Sequence, residues 1–403
     1  MKRLTNILIS LFAALKPEEI TSSTIINGSS IISSTPSICR SNSTHIVWKL
    51  SQQQKQQQQK VEYQCIVQTR KNAEKLCMEY LKNNIMSFDE PFKETMGFPL
   101  NNDDDNNNDD DADGLGNGLV GPTVALALDS KVQYKYTDNL QPDFFFEYVL
   151  NYANLNEART NWRPFIVNAL QFNESDLFHS SILNKTTTNN NINGVYNDDD
   201  NDDDDAVAIA AVTKWVNTHL WTKLARHEDE PIYFKSSQTP LIFDPMSIIA
   251  FGYASCTGTS VLFTNGLRAC GVPARVVGTP AWYGNRTNGN HNWVEVYVPN
   301  NNNIEGGGEW KFLEPSPALA HVDTLDDDPC NRWFCDPSRY PSSKVYAAKL
   351  SKTTSITPTT TTTSEGHFPL AWEWDCHDVP AEDRTDYYTK ICGSCNGGDK
   401  QQE

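Results

Sequence analysis

The sequence predicts an α+β domain interrupted by low-complexity inserts, and three observations lead there. A helical pattern to Ala269 leads into Ala269–Val277, which reads as a helix stop and then a strand, and two more strand-like runs follow, Gly289–Tyr297 and Trp310–Pro315. A helix and then strands in succession is α+β order. The apolar fraction, 38%, is low for 403 residues, so part of the length packs no core. Tracts of Asn, Asp, Gln and Thr at Ser51–Lys60, Asn101–Asp113, Thr186–Asp205, Asn300–Asn303 and Thr353–Ser364 account for that part. Such tracts bury too little apolar surface to offset the entropy of ordering, so they read as disordered inserts or linkers.

In chain order, residues 1–36 have a basic start at Lys2-Arg3 and a short apolar run. They read as a signal peptide or a disordered leader, which leaves a secretory route and a cytoplasmic location both open. Residues 37–100 form a helical N-terminal segment outside the main core, with Val61, Tyr63, Ile66, Leu76, Met78 and Leu81 as its apolar positions and Cys65 and Cys77 on it. Residues 101–118 are an acidic Asn/Asp linker, and 119–340 are the main domain. Phe144–Tyr152 reads as a buried helix. Asn154–Arg159 and Trp162-Arg163 look like a wall, although for any single residue a salt bridge or core packing is the commoner role. A disordered insert occupies about 186–205, after which Val207, Ile209, Val212, Trp215, Val216, Leu220 and Trp221 mark an amphipathic helix. Asp244-Pro245 is a cap and first turn, and Gly252 ends that helix just before Cys256. Cys330–Cys335 reads as loop, and 341–403 as a linker and a C-terminal segment in which Trp372–Arg384 is a strand or a clasp.

The net charge of −18 is concentrated in two tracts, 103–113 and 198–205, that carry seven aspartates each. It describes solvated spacers more than a binding arm, and with no basic stripe the chain is not expected to bind nucleic acid. No run is long and apolar enough to span a membrane. The ten cysteines fit disulfides, but in a chain this long the count alone does not fix a scaffold. Cys392-x-x-Cys395 near Cys376 and His377 lacks the spaced partner pair of a zinc site. No metal or other cofactor is expected.

Three residues carry the chemistry. Cys256 falls at or before the first turn of its helix, where free N–H groups and the helix dipole favour a thiolate and can receive an oxyanion. Gly271 stands at the left-handed position after that helix, and Pro273 closes it off. His291 heads an alternating strand and can serve as general base to the thiol. Glu314 ends the next strand and can hold the far imidazole nitrogen. Glu295, four residues past His291 on one strand, is a competing acid that cannot reach around to the ring and stays a wall residue. Trp282, Tyr283 and Trp293 are candidates to line an acyl channel, with core packing as the alternative for each.

These blocks, Gly252-Tyr253-Ala254-Ser255-Cys256-Thr257-Gly258, then Leu267–Arg275 with its Gly-Val-Pro-Ala-Arg, then His291-Asn292-Trp293-Val294-Glu295-Val296, resemble the core of the transglutaminase-like superfamily. Asn154–Arg159 with Trp162-Arg163 is similar to the leading helix region of one microbial-type branch. The resemblance covers roughly residues 140 to 320. It implies a papain-like core, with the nucleophile helix packed on an antiparallel sheet, and a Cys-His-acid triad of Cys256, His291 and Glu314. It implies acyl transfer on a Gln side chain or peptide bond through a Cys256 thioester, to an amine or to water, with a protein or peptide as substrate. The usual third residue of the family is Asp, and here Glu314-Pro315 stands there. That departure, with the inserts, motivates the alternative: an inactive fold of the same kind serving as an interaction or scaffold protein.

Overall fold

The computed structural model describes residues 69–98, 118–173, 204–227, 229–299, 308–315, 317, 325, 328–351 and 365–395. The readings for the leader, Cys39, Cys65, the acidic linker, most of the insert before residue 204 and the Thr tract lie outside these residues. The chain divides into two units, Met1–Leu76 and Cys77–Glu403. In the first, residues 69–76 are helical.

The second unit contains the helices α1 (Val120–Gln133), α2 (Pro142–Tyr148), α3 (Trp162–Leu170), α4 (Asp204–Lys223), α5 (Pro245–Phe251), α6 (Cys256–Ala269) and α7 (Thr385–Gly393). A two-residue parallel pair joins β1 (Tyr233–Phe234) to β2 (Tyr253–Ala254). The main sheet is built from β3 (Ala274–Thr279), β4 (His291–Pro299), β5 (Gly308–Leu313), β6 (Tyr346–Ala348), β7 (Glu365–His367) and β8 (Pro380–Asp383). Its order is β5-β4-β3-β6-β8-β7, and every pairing is antiparallel. This is the mixed helix and antiparallel-sheet architecture that the sequence predicts. The sheet crosses the boundary expected at residue 340, since β6 and β8 from the C-terminal segment extend it beyond β3, with β6 paired to β3 and β8 to β6.

Local signals set the ends of the two helices before the sheet. Asp244 accepts a hydrogen bond from the Ser247 N–H at 3.0 Å and caps α5, with Pro245 in the first turn. Helix α6 ends on a Schellman pair: the Gly271 N–H reaches the Arg268 carbonyl at 3.1 Å and the Val272 N–H reaches that of Leu267 at 3.0 Å. Gly271 has φ +76°, a conformation that glycine adopts without strain. The turn feeds the chain at once into β3.

Helix α6 is the centre of the core. Val261, Leu262, Phe263 and Leu267 are fully buried. They pack between α4 (Val212, Val216, Leu220, Trp221) and the strand residues Val276, Val294 and Val296. A Cβ on Gly266 would stand 2.9 Å from Leu220, so this glycine sets how closely α6 and α4 approach. On the opposite face of the sheet, Val277, Trp293 and Ala347 pack against Phe334, Tyr340, Tyr388 and the cysteines at the end of α7.

Helix α2 ends at Tyr148, four residues short of the expected Tyr152. Beyond it the buried chain is irregular, and arginines supply the hydrogen bonds that a helix would have made. Arg163 donates to the carbonyls of Val149 and Arg268, Arg268 to that of Ala153, and Arg159 to that of Leu155. The Trp162 indole donates to the Tyr152 carbonyl at 3.0 Å. The Arg/Trp wall therefore holds backbone. The segment before it docks here too: Tyr80 donates to Glu147 at 2.7 Å, and Asp89 takes Tyr152 at 2.8 Å and Arg159 at 2.9 Å.

Candidate active site

Cys256 is the first residue of α6, preceded by Ser255 in extended conformation. The residue keeps a face to solvent while its sulfur is closely surrounded by protein atoms. Burial works to raise the thiol pKa. The hydrogen bond and charge of His291 outweigh it, aided by the backbone N–H groups of Asn292 and Thr257, and the pKa falls below the ordinary thiol value. Cys270, at the other end of the same helix, has no such neighbours, and burial alone pushes its thiol up.

His291 opens β4 and is buried. On one side its ring stands close enough to the Cys256 thiol for each to shift the pKa of the other. On the other, Nε2 lies 2.9 Å from Glu314 Oε1. That contact is short, but the ring N–H is not well directed at the oxygen, so charge attraction is its larger part. Burial disfavours the charged ring; the Glu314 carboxylate and the Cys256 hydrogen bond more than offset this and raise the pKa to about 9. Glu314 lies one residue past β5, its side chain about a quarter exposed. Burial would raise its pKa, but the facing His291, the Trp333 indole and Arg332 hold it below the ordinary carboxylate value.

The helix start is fixed to the strand start by a residue that the sequence alone does not single out. Asn292 Oδ1 accepts a hydrogen bond from Thr257 Oγ1 at 2.8 Å, which ties the second residue of α6 to the second of β4. Gly278 is the register partner of Asn292 across the sheet, and a Cβ there would fall 2.0 Å from the Asn292 amide nitrogen. A glycine inside a strand is the signal that could have revealed this close approach.

The three channel candidates differ in placement. Trp293 is fully buried, its indole donating to the Tyr388 hydroxyl at 2.8 Å, and its ring lies against Phe334 at 4.8 Å. Trp282 is buried against Trp333 and Tyr340. Tyr283 is 43% exposed, with φ 58°, and its N–H is held by Ser343 Oγ at 2.9 Å. A tyrosine in the left-handed region is strained, and its surroundings must hold it there. Glu295, the competing acid, is turned away from the His291 ring into a buried ion-pair cluster with Arg275 and Arg384.

Cys392 and Cys395 form disulfides with Cys335 and Cys330, which removes the C-x-x-C pair as a zinc site. His377 faces His367, with Nδ1 2.7 Å from Nε2. Among the described residues no group of three or more His, Cys, Asp or Glu side chains stands close enough to hold a metal ion, and no helix is long and apolar enough to cross a membrane.

Residues 195–315 match the family model of the transglutaminase-like superfamily. The chain carries a transglutaminase-like domain. The match contains Cys256 and His291 and ends one residue past Glu314; β6, β7, β8, α7 and the disulfide-bound loop lie beyond it. No curated protein and no solved structure matches the chain.

In this transglutaminase-like domain a thiol, an imidazole and a carboxylate stand in line, and each lowers the energy of the charged form of the next. The effect of Glu314 can be measured. Glu314→Gln keeps the shape and removes the charge, so the ring loses its main support as an imidazolium. Each pKa unit lost is about a factor of ten in the thiolate–imidazolium equilibrium. Alkylation of Cys256 at neutral pH should slow on the order of tenfold. An unchanged rate would remove Glu314 from the set.

Proposed function

We propose that the protein is a cysteine-dependent acyltransferase or hydrolase acting on amides of peptides or proteins, with Cys256 as nucleophile, His291 as acid and base, and Glu314 as the group that orients and charges His291. The observation that supports this most is the line of groups at the starts of α6 and β4: the His291 ring lowers the pKa of the Cys256 thiol, and its Nε2 is 2.9 Å from Glu314. Because the His291 pKa is raised and the Cys256 pKa lowered, transfer of the thiol proton to the ring is favoured relative to an isolated thiol and imidazole.

The thiolate attacks the amide carbonyl, and the carbon–oxygen π electrons move to oxygen. The first N–H groups of a helix have no intrahelical acceptor, and those of α6 beside Cys256 can receive that oxyanion. As the C–N bond breaks, His291 gives its proton to the departing nitrogen, and ammonia or an amine leaves a Cys256 thioester. His291, now neutral, takes a proton from water or from an amine as it attacks, and the thiolate is restored. Water gives deamidation or hydrolysis, and a lysine amine gives a cross-link. Of the three aromatic channel candidates, Tyr283 is the one open to solvent, so we assign it the substrate-facing part; Trp282 and Trp293 support the site from behind. The two disulfides support an oxidising compartment, in line with the secretory reading of the leader.

The test is incubation of the full chain with glutamine-containing peptides, with and without a primary amine, read by mass spectrometry. A gain of about one dalton marks deamidation, a shorter peptide marks hydrolysis, and the mass of the amine less ammonia marks transfer. All should disappear in Cys256→Ala. Unmodified peptides under every condition would sink the proposal and favour the scaffold alternative.

A further inference from the structure

The loop between Cys330 and Cys335 is held at both ends, Cys330 to Cys395 and Cys335 to Cys392, so it is bound to the C-terminal end of α7. Between the two anchors lie Trp333 and Phe334. The Trp333 ring centre is 4.7 Å from that of His291, and the Phe334 ring centre 5.2 Å. The Trp333 indole N–H points to Glu314 Oε1 at 3.4 Å, the same oxygen that lies 2.9 Å from His291 Nε2. Phe334 is fully buried and belongs to the core behind the sheet. Trp333 is only half-buried, and its one polar side-chain atom is spent on the carboxylate.

This placement has a physical consequence. The His291–Glu314 contact is close but poorly aligned as a hydrogen bond, so its strength depends on proximity and on how little water lies around it. A ring packed at a tilt against the imidazole keeps water out, and an N–H donor on the carboxylate keeps Oε1 in place. We infer that Trp333, held by the two disulfides, is a positioning residue that keeps Glu314 on His291 and so keeps the Cys256 thiol ionised. The inference rests on the function proposed above, and Trp333 lies outside the span matched by the family model.

The readout is the rate of Cys256 alkylation by iodoacetamide from pH 5 to 10 on the full chain. Mass spectrometry separates Cys256 from every other cysteine of the chain and confirms that both disulfides are intact. In the native protein the midpoint should lie well below that of an ordinary thiol. Trp333→Leu should move the midpoint up by about one unit, so that the rate at pH 6 falls about tenfold while the plateau above about pH 9.5 is unchanged. Trp333→Phe keeps most of the wall, loses only the donor, and should show about a third of that shift; it decides the matter if Trp333→Leu does not fold. Paired replacement of Cys330 and Cys395 by Ser should shift the midpoint in the same direction. An unshifted midpoint in both Trp333 variants, with a depressed one in the native protein, would overturn the positioning role and leave the proposed function intact. An equal loss at every pH would overturn it as well, since that is damage to packing. A native midpoint at the ordinary thiol value would remove the reading on which the inference rests.

Discussion

His291→Gln should slow transfer from glutamine peptides by about 10²–10⁴-fold, the range for loss of a positioned acid and base. Two effects add in this variant. The leaving nitrogen loses its proton donor, and Cys256 loses both contributions of His291 that lower its pKa. What remains at the sulfur is burial, which disfavours the thiolate, against the backbone N–H groups of Asn292 and Thr257. The midpoint of Cys256 alkylation should therefore move up. The pH profile carries a second sign. In the native protein the pair is complete above the lowered thiol pKa and is lost as pH rises through the His291 value of about 9, so activity should fall on both sides. With Gln at position 291 the alkaline fall should vanish, because the group that titrates there is gone. A variant with native rates, or with its alkaline limb in place, would show that His291 is not the partner of the thiol.

The residues of this site differ in how far the sequence disclosed them. Cys256 could be placed at a helix start because Gly271 and Pro273 mark the other end of that helix within the same short segment, and both signals are local. His291 and Glu314 stand at the edges of strands whose alternation is visible in Trp293, Val294, Glu295 and Val296. Pairing of β4 with β5 runs in register from Val294 opposite Leu313 to Pro299 opposite Gly308, which carries Glu314 toward the His291 end. The extra methylene of Glu, beside the Asp more usual in the family, is taken up with the contact still at 2.9 Å. The cover over the site was not legible. Trp333 reaches His291 only because Cys330 and Cys335 are bonded to residues 65 and 57 positions away, and no count or spacing of cysteines chooses those partners. Strand β6 was hidden for a related reason: it is three residues long and far from β3 in sequence, too short for a period to show. Strand β8 falls within Trp372–Arg384, the stretch that reads as a strand or a clasp, but nothing in its four residues points to β6 as its partner.

Glu295→Ala should lower stability by about 3–5 kcal/mol, the usual result of removing one partner from a buried ion pair. The Arg275 side chain is fully buried, and its Nε donates to Glu295 Oε2 at 2.8 Å. Its Nη2 lies 2.7 Å from the same oxygen at a poor angle, so Nε carries the hydrogen bond. Arg275 also meets Glu382 at 2.6 Å and lies over the Trp310 ring at 3.9 Å. Burial opposes its charge, and Glu382 and Glu295 together overcome that. Without Glu295, the guanidinium keeps one carboxylate in place of two. Glu295 Oε1 also accepts from Tyr388 at 2.9 Å and lies 3.1 Å from Arg384, so a second cation and a buried hydroxyl lose a partner as well. The urea midpoint should drop accordingly, and replacing Arg275 and Glu295 together by apolar residues should recover part of the loss, since the buried guanidinium is then gone with its partner. A loss below about 1 kcal/mol in Glu295→Ala, the scale of an exposed pair, would show that water reaches the cluster. The same cluster bears on the site, because Tyr388 accepts the Trp293 indole N–H and the Trp293 ring lies 5.7 Å from that of His291. Glu295 is therefore the acid that supports the fold behind the histidine, and Glu314 is the acid that faces it.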